Sequence, residues 1–174
     1  MNLQIAQYRD ELHDFCASFE FTHIATLKFI ESHQTPYAAS RASKEFIGRF
    51  EREIWGRHWV QKRKAALAYM PILQDGFGKK ELHLHCAIGN IKPTWNELQV
   101  LLKFGDVANE TRGLKRDEWH FKPVKNCDKW IRYMTRELNP YNLDYCLFEQ
   151  FARGIKPSGD SPTIVGLSNC SALV

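Results

Sequence analysis

The chain has no run of about 18 apolar residues, so it is not expected to cross a membrane as a helix. It also has no Cys-x-x-Cys pair; its cysteines, Cys16, Cys86, Cys127, Cys146 and Cys170, are dispersed and odd in number. That pattern argues against a disulfide framework and for reduced thiols in the cytoplasm. The opening residues MNLQIAQYRDELHDF carry acids in an amphipathic pattern, which does not suit an export signal. No internal repeat is visible, and no strong excess of charge. The net charge of +4 is compatible with nucleic acid without singling it out. What is present is an ordinary 44% apolar content over 174 residues, enough for one cored domain.

The apolar patterns follow an order. Residues 3–19 read as an amphipathic helix with Leu3, Ile5, Leu12, Phe15 and Phe19 apolar. Phe21–Phe29 is β-branched and aromatic and reads as a strand. A polar connection, 33–40, contains Pro36; Phe46, Ile47, Phe50 and Ile54 then repeat at helical spacing within 43–57. Strands are expected over 65–73 and 82–88, separated by the turn signal Asp75-Gly76-Phe77-Gly78. A helix is expected over 93–103, capped by Thr94 and Glu97 with Leu98, Leu101 and Leu102 inward. Residues 105–117 read as polar and irregular, 119–124 as a strand, 128–138 as a helix, and 143–151 as a last amphipathic helix. The order β-α-β-β-α-β specifies an α+β, ferredoxin-like antiparallel sheet with flanking helices, one sheet face covered and the other left for a site. The domain is expected to span 1–153, with 154–174, rich in Gly and Pro, a flexible tail or linker.

The strand Leu82-His83-Leu84-His85-Cys86 carries the chemistry. Side chains alternate along a strand, so His83 and His85 share one face while Leu82, Leu84 and Cys86 turn to the core. Paired neutral imidazoles are half of a divalent-metal site, though two histidines on a solvated face would look the same. Downstream, Tyr133 lies on the expected helix with Arg136 one turn on. A tyrosine, a metal pair and a cation together suit phosphoryl transfer: the metal neutralises charge, the phenol attacks, and the cation steadies phosphate or phenolate.

On these residues the chain resembles the HUH endonucleases, specifically the nuclease domain of rolling-circle replication initiators. Thr22–Leu27 is similar to their first motif, His83-Leu84-His85 fits the His-hydrophobic-His second motif, and Tyr133-Met134-Thr135-Arg136 resembles the third, Tyr-x-x-Lys. The stretch Trp119–Val124 and Lys129–Tyr133 also resembles the strand and helix before that tyrosine. The resemblance implies a metal-dependent endonuclease that nicks and rejoins single-stranded DNA at a replication origin through a 5′-phosphotyrosine on Tyr133. It implies Mg²⁺ or Mn²⁺ held by His83, His85 and a third ligand, for which Gln74, Glu137 and Asp75 are the candidates. Partners would be origin DNA and host helicase and polymerase, with no membrane. Arg136 stands where lysine is usual, so charge is kept but proton donation is doubtful. No Walker A motif occurs, so helicase activity would lie elsewhere.

Other readings stay open. A single-tyrosine transposase of the same superfamily would use the same residues, and a non-catalytic nucleic-acid-binding module could share the fold. A relaxase would want a third histidine. A cupin would want a glutamate soon after the pair, where Gly89-Asn90 stands. His120 is expected to pack, although it could share the site's face. Tyr141 and Tyr145, past Pro140, read as structural, as do Trp55, Trp59 and Trp95. The basic run Arg57–Lys64 is a candidate contact for a DNA backbone.

Overall fold

The computed structural model describes residues 3–17, 19–62, 66–75, 81–136, 138, 142, 145–147 and 150. The expected tail over 154–174, Tyr141 and Glu137 lie outside them. In chain order the elements are α1 (Leu3–Ala17), β1 (Phe21–Phe29), α2 (Pro36–Trp55), α3 (Arg57–Gln61), β2 (Ala68–Gln74), β3 (His83–Gly89), α4 (Glu97–Glu110), β4 (Leu114–Pro123) and α5 (Cys127–Thr135). The four strands form one antiparallel sheet in the order β2-β3-β1-β4, which is the α+β, ferredoxin-like arrangement. Among the described residues, no helix is long and apolar enough to cross a membrane.

Period-2 alternation divides the strand residues between two cores. On one sheet face Leu27, Phe29, Tyr69, Leu84, Cys86 and Ile88 meet the apolar stripes of α2 and α4. Phe46 and Phe50 of α2 and Phe104 of α4 interlock there, with Phe104 stacked on Phe121 of β4 at 4.3 Å between ring centroids. The opposite face is not left bare as expected. Met70, Ile72 and Ala87 are covered by Leu12 and Cys16 of α1, by Ile131 and Met134 of α5, and by Leu138. This second core decides the surroundings of the histidines.

Local chemistry explains where the elements differ from expectation. α2 begins at Pro36, inside the segment read as a connection, because proline suits the first helical turn and Thr35 caps it by accepting from the Ala38 N–H. α4 begins later than expected: Asn96 and Gln99, not Thr94 and Glu97, form the reciprocal capping box. Its buried stripe is Val100, Phe104, Val107 and Ala108, which carries the helix through 105–110 and leaves Leu98 and Leu102 about two-thirds exposed rather than inward. β4 likewise starts at Leu114, before Trp119. Of the helix expected over 143–151, the described part includes Cys146, which bridges Ile72 in antiparallel fashion, while the Leu147 N–H donates to the Pro71 carbonyl. Extended chain there shields the outer edge of β2, where a proline is tolerated because its missing N–H is not needed on the inner ladder.

Candidate metal and phosphoryl-transfer site

Sheet register assembles the site. Gln74, His83 and Lys28 stand side by side across β2, β3 and β1; in the next row of that face are Ile72, His85, Thr26 and His120. His83 and His85 therefore point to one face, as their spacing requires, and their rings lie 4.7 Å apart. His85, however, is only 4% exposed. Its neighbours are Trp130 and Tyr133, which meet its ring edge-on at 5.3 Å each. The amphipathic helix α5, whose Ile131 and Met134 are pinned to the second core, sets those two rings over the strand.

Hydrogen bonds orient each donor atom. The His83 Nδ1 lies 2.9 Å from the Glu81 carbonyl, which can only accept, so in the neutral ring the proton sits on Nδ1 and the lone pair on Nε2. The His85 Nδ1 lies 2.9 Å from the Thr26 hydroxyl. The Gln74 amide donates from Nε2 to the Met134 carbonyl at 2.7 Å, which turns its Oε1 away from those atoms. Among the described residues, the buried Gln74 Oε1 and His85 Nε2 have no hydrogen-bond partner. Buried polar atoms are ordinarily paired, so two orphans on adjacent strands are themselves a signal of something that binds there. Two imidazole nitrogens and one amide oxygen are lone-pair donors that suit a divalent cation, and the bonds at Nδ1 are of the kind that hold metal-ligating histidines in place. The residues present thus fit Mg²⁺ or Mn²⁺.

The electrostatics agree. Burial, then the adjacent His83, then Arg136 push the His85 pKa down to about 3, so the ring is neutral and its nitrogen is available. Arg136 follows the last residue of α5, and its guanidinium lies 4.2 Å from the centre of the Tyr133 ring. Tyr133 is also stacked on Trp130 at 5.1 Å, and at 36% exposure it is open to a substrate. The Tyr133 ring is thus held between a cation and an indole, beside the histidines.

Not every expected residue joins this group. Asp75 accepts a hydrogen bond from the Tyr145 hydroxyl at 3.2 Å and serves the fold, as does Tyr145, which packs against both cores. Among the described residues, no three histidine, cysteine or carboxylate side chains cluster as a metal-ligand set; of the third-ligand candidates, Gln74 is the one paired with His83 across the strands. His120 shares the face but is exposed. Trp59, read as part of the core or its shell, is half exposed on α3. Cys86 is fully buried, with its thiol pKa pushed up to about 12 by desolvation, so it is inert. Two contributors were missed as such, Thr26 and Trp130. Counting register from His85 across to β1 reaches Thr26, and stepping back one helical turn from Tyr133 reaches Trp130.

Searches against protein-family models, curated proteins and solved structures found no match to this chain.

Proposed function

We propose that the protein is a divalent-metal-dependent endonuclease and strand transferase acting on single-stranded DNA, and that it initiates rolling-circle replication. The observation that carries this reading is the pair of orphaned buried atoms, Gln74 Oε1 and His85 Nε2, next to a tyrosine whose ring is clamped by Arg136 and Trp130. A bound Mg²⁺ or Mn²⁺ would supply Lewis acidity at a phosphate oxygen. His83, His85 and Gln74 would hold it, and Thr26 and the Glu81 carbonyl keep the imidazoles turned the right way.

In this reading the Tyr133 phenol oxygen attacks phosphorus as its proton leaves to solvent. The bond from phosphorus to the 3′ oxygen breaks, that oxygen takes up a proton, and a 5′-phosphotyrosine and a free 3′-hydroxyl result. Phosphodiester energy is kept in the new ester, so the reverse attack rejoins strands. Arg136 places a fixed positive charge where the phenolate and the phosphate carry negative charge. Origin DNA, host helicase and polymerase are the partners this activity needs, in the cytoplasm of the host.

The test is incubation of end-labelled single-stranded DNA with protein and Mn²⁺. A protease-sensitive covalent adduct is expected, with the nucleotide on the peptide containing Tyr133, and Tyr133→Phe should abolish adduct and cleavage while still binding DNA. Cleavage without any adduct would point to water as the nucleophile and overturn the reading.

A further inference from the structure

At the end of the sheet where His83 stands, a second surface has the chemistry of a nucleic-acid contact. It is a depression of about 790 Å³ lined by Tyr37, Arg41, Lys44 and Glu45 of α2, with His33 and Arg112 as its far wall. Arg41, Lys44 and Arg112 give it three cationic groups against the single carboxylate of Glu45, which is drawn towards Arg49 at 3.7 Å. Tyr37 is 74% exposed, and the Arg41 guanidinium lies 6.0 Å from its ring centre. An exposed aromatic ring offers a face to a base, and the cations beside it match the spaced phosphates of a single strand.

The wall is preformed. Gly113 has φ of 95°, and a Cβ there would come within 2.3 Å of the His33 ring, so only glycine lets the imidazole lie against the backbone. The Ile30 N–H donates to the Gly113 carbonyl at 3.0 Å, tying the two sides together. The depression is also joined to the histidine strand. Gln34, next to His33, donates from its amide to the Phe29 carbonyl and accepts from the Leu82 N–H, the residue before His83. From Thr26, opposite His85, β1 runs only three residues, roughly 10 Å, to its end at Phe29, beside this surface.

We propose that this depression, on the α2 side of the sheet, binds single-stranded DNA, stacking one base on Tyr37 and taking flanking phosphates on Arg41, Lys44 and Arg112. The site rests on the reading that Tyr133 acts on single-stranded DNA.

The experiment measures anisotropy of a fluorescent single strand of about 20 nucleotides on the full chain, with chelator present and salt varied. Tyr37→Ala should weaken binding roughly tenfold and Tyr37→Trp should restore it, because stacking is tolerant of ring identity. Arg41→Glu with Lys44→Glu should flatten the dependence of log affinity on log salt by roughly one unit or more, as about two phosphate contacts are lost. If all these variants bind like the wild type, the site is refuted even where the wild type forms the Mn²⁺-dependent adduct. If they lose binding while the wild type forms no adduct, the DNA site stands and the catalytic reading of Tyr133 falls. An equal loss of binding to a duplex of the same length would make the surface a general anion contact and refute the stacking role.

Discussion

Acid should destabilise the metal-free protein most strongly through His85. His85 is held neutral in the folded state, with its pKa pushed from 6.5 down to about 3 by burial, His83 and Arg136. In the unfolded chain the ring titrates normally, so between these values the unfolded state binds more protons than the folded one. Stability therefore falls as pH drops through about 6.5, and the loss is complete only near about 3. For one such group the loss between about pH 8 and pH 5 is about 2 kcal/mol, approaching about 5 kcal/mol at the acid limit. Against a total of roughly 5–15 kcal/mol, that is a large fraction. Denaturant melts with chelator present, at about pH 8 and pH 5, measure it. His85→Asn keeps a polar group facing Thr26 but cannot titrate, so its stability should change by about 2 kcal/mol less than the wild type's over the same interval. His23, whose pKa burial also lowers, contributes with the same sign in both proteins and cancels in the difference. Equal pH dependence in the two proteins would refute the buried, neutral assignment of His85.

Two further outcomes concern the clamp on Tyr133. Arg136→Ala should slow adduct formation by more than it weakens DNA binding, and Arg136→Lys should recover much of the rate; single-turnover kinetics beside binding isotherms separate the two, and an equal loss in both would make Arg136 a plain backbone contact. Arg9 of α1 donates to the carbonyls of Arg136 and Leu138, so Arg9→Met should cost about 1–3 kcal/mol in denaturant melts and lower the adduct rate with DNA affinity unchanged.

The order of strands and helices was legible because it rests on local patterns. The alternation in Phe21–Phe29 and around His83–His85 gives strands, the spacing of Phe46, Phe50 and Ile54 gives a helix, and Tyr133 falls on a helix after the fourth strand. Element starts were less legible, since Pro36 reads equally as a loop residue and as a first-turn residue, and Thr94-x-x-Glu97 competes with Asn96-x-x-Gln99 for the same helix. The parity of the two histidines followed from their spacing alone. The burial of His85 did not, because it depends on which sheet face α1 and α5 occupy, and the apolar stripe of a helix does not name the surface it covers.

The same distinction governs the third donor. Position alone left Gln74, Asp75 and Glu137 as alternatives. An amide in the middle of a buried strand end is expensive unless both its ends are used. The Met134 carbonyl, near the end of α5 where helix carbonyls lack partners within the helix, takes one end of Gln74. The other end, Oε1, is buried without a hydrogen-bond partner among the described residues, on a residue paired with His83 across β2 and β3. Gln74 therefore couples the end of the Tyr133 helix to the histidine strand, a link that exists only once β2 and α5 have packed and that no spacing within either segment could disclose.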